Sequence, residues 1–136
     1  MKILVCVISL LLFIQSDFAC TVDIWNIKAK SIQGKTIDEY KNAISNATVQ
    51  IYKNKEEGEE ILAETKADEN GRFEIKDFPP GKYMIRANAE HFTYSYAILK
   101  LKKPSKKVTN EEMIFILVPY DQCSGKVEVK KIFSLK

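Results

Sequence analysis

Through most of its length the chain alternates apolar and polar positions with a period of two. Val49 and Ile51 flank Gln50, Phe73 and Ile75 flank Glu74, and Tyr83, Ile85 and Ala87 alternate with Met84, Arg86 and Asn88. Successive side chains of an extended strand point to opposite faces, so each run predicts a strand with one face in a core and the other in water. Turn signals stand between them: a polar stretch over 54–60, Asp68-Glu69-Asn70-Gly71, and Asp77-Phe78-Pro79-Pro80-Gly81. Asn70-Gly71 is expected to supply the positive φ of a tight hairpin, and Pro80-Gly81 to set a turn that no strand crosses. Phe73 and Tyr83 follow these turns as core plugs, so the motifs read as structural. Short strands at regular spacing, with no convincing amphipathic helix, predict a β-sandwich or barrel.

The flanks extend the pattern. Residues 22–37 predict one long strand or two, with Gly34 a bulge or bend. Residues 93–101 predict a strand and 103–110 a polar loop. Residues 113–118 are apolar on both faces and predict a central, doubly covered strand. Residues 126–133 carry Val127 and Val129 at alternate positions, with Ile132 as a third, and predict a final edge strand.

The first residues break this pattern. Met1-Lys2 precedes an apolar run over 3–14, interrupted only by Ser9, and a small Ala19 precedes Cys20. A short basic start, an apolar run too short for a relaxed membrane span and a small residue at the cut predict a secretory signal over 1–19. Residues 20–136 then form one domain, since 136 residues at 46% hydrophobic content support one core. Export places the chain in a secreted or periplasmic, cell-envelope setting. Cys6 leaves with the signal, so Cys20 and Cys123 remain and are expected to pair in an oxidising compartment. Such a bond closes nearly the whole chain into one loop, worth about 4–5 kcal/mol in the entropic model. The alternative is an acylated Cys20 on a bacterial lipoprotein, for which Asp17 stands where an aliphatic residue is usual. Only in that case is a membrane a partner.

Between Gly34 and Phe92 the chain resembles the carboxypeptidase regulatory-like family. The resemblance rests on Gly34, on Ile44-Ser45-Asn46-Ala47-Thr48-Val49, and on Ala67-Asp68-Glu69-Asn70-Gly71-Arg72-Phe73. It continues through Phe78-Pro79-Pro80-Gly81-Lys82-Tyr83 to Ala89-Glu90-His91-Phe92. It implies an all-β fold, a seven- to eight-stranded Greek-key-type β-sandwich of transthyretin-like (prealbumin-type) form. It implies little about function, because such domains accompany peptidases, receptors, adhesins and freestanding secreted proteins. The family's Gly-x-Pro turn before its second strand is replaced here by 38–43, which contains neither residue. Urate-pathway hydrolases of the same fold use several histidines and a Tyr-Arg-Gly-Ser tail; this chain has one histidine and ends Phe133-Ser134-Leu135-Lys136.

The residues offer little chemistry. His91 is the sole histidine and sits in a loop, which argues against a catalytic triad and, with two cysteines at opposite ends, against zinc. No cofactor is expected. Carboxylates cluster at Asp68-Glu69-Asn70 and at Glu56, Glu57, Glu59 and Glu60, but without EF-hand spacing, and solvated turns explain them better than calcium. Asn46-Ala47-Thr48 is a glycosylation sequon, relevant only in a host that glycosylates. A net charge of +3 is too small to argue for nucleic acid. The lysines at 100, 102, 103, 106 and 107 and at 126, 130 and 131 read as a solvated loop and edge face, with an anionic envelope surface as the alternative.

One surface stands out. Phe92, Tyr94 and Tyr96 share one face of an extended run, with Thr93 and Ser95 on the other. A row of aromatics can stack on sugar rings or form a protein contact; the preferred expectation is that this row faces the core and the Thr/Ser side is wet. Trp25 is likewise expected to be buried. The leading functional reading is a binding module for a protein or glycan, and the second a structural subunit pairing through an edge strand. An exposed Tyr94/Tyr96 stripe favours the first and an uncovered, charge-poor edge the second. A deep pocket joining His91 to carboxylates would revive an enzyme.

Overall fold

The computed structural model describes residues 20–103 and 111–132. The signal expected over 1–19, most of the polar loop expected over 103–110 and the last four residues lie outside them. The described residues form nine strands and no helix: β1 Ile24–Ala29, β2 Ile32–Ile37, β3 Thr48–Lys55, β4 Gly58–Lys66, β5 Arg72–Ile75, β6 Gly81–Asn88, β7 Ser95–Leu101, β8 Glu111–Ile116 and β9 Lys126–Lys131. Five make one sheet in the order β1-β7-β6-β3-β4, and four make the other in the order β5-β2-β8-β9. The expected sandwich is present, with nine strands rather than seven or eight.

The extra strand comes from 22–37. That stretch splits at Lys30-Ser31, sending β1 into the larger sheet and β2 into the smaller. Both then pair in parallel, β1 with β7 and β2 with β8. Gly34 is neither bulge nor bend. It sits opposite Met113 in the parallel ladder, and a Cβ there would coincide with the Met113 backbone carbonyl, so only glycine permits the approach. The bulge lies elsewhere: Ile51 pairs with Ala63 and Tyr52 with Ile61, leaving Leu62 as an extra residue in β4. The polar turn over 54–60 shrinks to Glu56-Glu57, because β3 and β4 run on to Lys55 and Gly58.

The inward faces are those the alternation predicts. Val49, Ile51, Ile85, Ala87, Ala97 and Leu99 from the larger sheet meet Ile32, Phe73, Met113, Phe115 and Val127 from the smaller, with Leu117 just past β8 in the same cluster. Phe73 and Phe115 pack edge to face, with centroids 5.7 Å apart. β8 is central in its sheet and buried through Met113, Ile114 and Phe115, as its two apolar faces predict. β9 is an edge strand, but Ile132 falls beyond it and is exposed.

Asn70-Gly71 does different work from a hairpin. β4 pairs with β3 and β5 with β2, so this turn carries the chain from one sheet to the other. Gly71 alone takes a positive φ of 74°, and a Cβ there would press on the Thr36 carbonyl oxygen. The Asp68 carboxylate accepts hydrogen bonds from the Asn70 and Arg72 amides at 2.8 and 2.9 Å. Pro80 stands just before β6, and Gly81 is the first residue of that strand. The Tyr83 hydroxyl donates to the Pro79 carbonyl at 2.8 Å, and its ring meets Phe78 edge to face at 4.9 Å.

Candidate functional site

Tyr94 and Tyr96 do not face the core. The core side of this segment is the hydroxyl side: Ser95 is fully buried, while Tyr94 is 37% exposed and Tyr96 half-buried on the outside of the larger sheet. The reason is space. Ser95 lies beneath Gly125, where the sheets close together, and its Oγ donates to the Ile116 carbonyl at 3.2 Å. A Cβ on Gly125 would already collide with that oxygen, so nothing as large as tyrosine fits at position 95. Phe92 leaves the row altogether. It precedes β7, forms a bridge with Pro119 and packs half-buried against the core. The three aromatics therefore do not make one surface; two of them do.

Those two join a larger arrangement. Register places Tyr96 opposite Arg86 on β6, and Arg86 opposite Gln50 on β3, all on the outer face. Tyr94 and Tyr96 stack with centroids 5.6 Å apart and planes 26° from parallel. The Arg86 guanidinium lies 4.4 Å from the ring centre of Tyr52 and 5.4 Å from that of Tyr94. Its other contacts are polar: Nε donates to Gln50 Oε1 at 2.8 Å, and an Nη lies 2.8 Å from Glu59. Gln50 in turn donates to Glu64 at 2.6 Å. A planar, permanently charged group satisfied at its edge and stacked on its faces is held in one orientation. Burial pushes the phenols of Tyr52 and Tyr96 above the ordinary tyrosine range, and the facing Arg86 charge offsets part of the rise. Both rings stay neutral donors at physiological pH.

Sequence reasoning singled out the two tyrosines but missed Tyr52 and Arg86. The period-two pattern put Arg86 and Met84 on the wet face of their strand, but only the register between strands sets Arg86 beside Tyr96 there. Trp25 is half-buried and packs against the core. Its indole N–H donates to the Gly125 carbonyl at 3.2 Å, and Lys126 lies 5.8 Å over its ring.

The remaining sites fall apart in space. Cys20 and Cys123 are bonded, with Cα atoms 5.2 Å apart, joining the start of the domain to the β8–β9 connection. In this form Cys20 has no thiol to acylate. His91 is highly exposed, with Nε2 3.6 Å from Glu90, on a residue of positive φ. Asp68 serves its own turn, Glu59 pairs with Arg86 and Glu60 with Lys55. Among the described residues no three His, Cys, Asp or Glu side chains gather to hold a metal ion. Asn46 is exposed at the entry to β3, with φ 58°.

The family model of the carboxypeptidase regulatory-like domain matches residues 31–110. The chain belongs to this family. The regulatory-like domain matched includes β2 to β7 and extends past the stretch 34–92 in which the resemblance was read. A search of curated protein sequences finds no significant match. Among solved structures the regulatory-like fold is similar to sea bream transthyretin, determined in complex with thyroxine. The TM-score is 0.53 at 13% identity, over 76% of this chain and 97% of that one. At that identity the likeness establishes a transthyretin-like sandwich and nothing more.

Proposed function

We propose that this regulatory-like domain is an exported, non-catalytic binding module that presents the outer face of its larger sheet to a protein or glycan partner. The observation that carries the reading is the stacked, outward Tyr94–Tyr96 pair set beside the immobilised Arg86. Aromatic rings and arginine supply large contact area at low entropic cost, and these are already ordered before any partner arrives. The apolar run over 3–14 and the Cys20–Cys123 bond both support export.

Edge pairing is less well supported. β4 carries Glu59, Glu60, Glu64 and Lys66 and a bulge, β9 carries Lys126, Glu128, Lys130 and Lys131, and β5 has only four residues. Charges, bulges and short length are the devices that keep an edge from templating another chain. β1 has one lysine, but its edge packs along β9, with Trp25 bonded to Gly125.

The test compares the oxidised protein with a Tyr94→Ala/Tyr96→Ala variant for binding to intact cells of the producing host and to its purified surface glycans. A loss of about tenfold or more at unchanged melting temperature is expected. Undiminished binding by the double variant would remove this face from the mechanism.

A further inference from the structure

The outer face that carries the tyrosines also carries a row of lysines. Cross-strand register places Lys28 of β1 opposite Lys100 of β7, and Lys100 opposite Lys82 of β6. All three are exposed, and none has an ion pair among the described residues. Like charges directly opposite on neighbouring strands destabilise a sheet, so the row is a standing cost to the fold. Four lysines elsewhere do have an acidic partner: Lys35 with Glu112, Lys55 with Glu60, and Lys126 and Lys130 with Glu128. The three lysines border an open groove of about 480 Å³ that also touches Asn26, Ile98 and Leu101.

Building on the binding reading above, we infer that this groove takes the acidic groups of an anionic glycan, a sulfated or carboxylated sugar chain that continues onto Tyr94 and Tyr96. Lys100 lies four residues from Tyr96 on one strand, roughly 13 Å at the rise of an extended chain. A few linked sugar rings cover that distance. Neighbouring strands are about 4.8 Å apart, so the three ammonium groups stand across the groove at spacings that suit more than one anionic group. Between the lysines and the tyrosines the face carries Ile98 and Met84 in register, an apolar floor suited to the undersides of sugar rings. A recessed groove suits a chain lying along it better than the flat plane of a bilayer. Counter-charge from such a ligand offsets the like-charge repulsion, which links binding to stability.

The experiment measures binding of a heparin-derived octasaccharide to the disulfide-oxidised protein by calorimetry. Maltooctaose, inorganic sulfate and phosphatidylglycerol vesicles serve as the other probes. The variant Lys28→Gln/Lys82→Gln/Lys100→Gln is set against Lys35→Gln/Lys126→Gln/Lys130→Gln, which removes the same charge from the other sheet. The groove variant should lose about tenfold or more in affinity with a shallower salt dependence, and the control less than about twofold. The groove variant should also melt at the same temperature or higher in low salt. Equal losses in both variants would mean a diffuse charge effect and overturn the inference. So would sulfate competing at the octasaccharide's own concentration, or vesicles binding through the groove while the octasaccharide does not. Binding of maltooctaose that depends on Tyr94 and Tyr96 but not on the lysines would overturn this inference and leave the proposed binding face standing.

Discussion

Arg86 lies over the ring of Tyr52, its guanidinium carbon 4.4 Å from the ring centre, and this contact ties two neighbouring strands together on the outside of the sandwich. The same guanidinium reaches Tyr94 and Glu59, so one side chain organises residues from β3, β4, β6 and the approach to β7. Arg86→Ala should therefore free the tyrosines without opening the core. Because burial raises the Tyr52 and Tyr96 phenols and the Arg86 charge restrains that rise, removing the charge should move both further upward. For a raised acid the stabilising contribution is complete below the ordinary tyrosine range and is lost as pH climbs through the folded value. Tyrosinate absorbance during alkaline titration would show it: two late-titrating phenols in the parent, later still in the variant. An unchanged titration would mean Arg86 does not face these rings.

Cys20 and Cys123 are 103 residues apart in sequence, so their bond closes almost the entire domain. Loop-closure entropy gives about 4–5 kcal/mol for a loop of that size. Cys20→Ser, Cys123→Ser and the double variant should each lose a similar amount in urea denaturation, since either single change already opens the loop. Single variants that lose much less than this would show that the unfolded chain stays compact without the bond.

Gly34 and Gly71 are both glycines the structure requires, for different reasons. Gly34→Ala drives a methyl group into the Met113 backbone of a central strand, where neither partner can move, and should prevent folding or cost more than about 3 kcal/mol. Gly71→Ala meets the Thr36 carbonyl and a positive φ, at the end of a surface turn that can shift. It should cost about 1–3 kcal/mol while leaving a folded protein. Thermal melts of the two would reverse this order if the parallel β2–β8 register were wrong.

Asp38 replaces the glycine–proline turn that the family uses at 38–43. Its side chain accepts from the Tyr40 and Asn42 amides at 2.9 and 2.8 Å and from the Asn42 amide group at 3.1 Å, while Lys41 takes φ 67°. Slight burial pushes its carboxyl up, but the hydrogen bonds from Asn42 and Tyr40 outweigh it and hold it below the ordinary carboxylate range. A lowered acid contributes stability above its unfolded pKa and loses it as pH falls through the folded one. The parent should therefore lose part of its stability below about pH 4, and Asp38→Ala, about 1–2 kcal/mol weaker at neutral pH, should show less of that acid loss. Denaturant midpoints across pH would check it; parallel profiles would mean the loop does not depend on this carboxylate.

Much of the fold was legible because a strand writes its burial into every second residue. Val49, Ile51, Phe73, Ile85 and Ala87 were identified as core from alternation alone, and two cysteines at the ends of the domain indicated their own bond. The candidate site was legible only in part. Both sides of the run Thr93-Tyr94-Ser95-Tyr96 can be buried in principle, since serine and threonine hydroxyls find backbone partners and tyrosines pack well. The preferred reading there was wrong because hydrophobicity ranked the two sides, whereas clearance beneath Gly125 chose between them.

By itself, then, the sequence determined the two-faced strands and the family and made the terminal disulfide the leading expectation, all of which depend on local pattern or on residue type. The tertiary structure alone decided that β1 and β2 separate into different sheets in parallel pairs and that Tyr94 and Tyr96 face outward. It also decided that Arg86 meets Tyr52 and that Lys28, Lys82 and Lys100 stand in line. Those relationships join residues up to 79 positions apart (Gly34 and Met113), through a register that is set by how the sheets pack and leaves no trace in local periodicity.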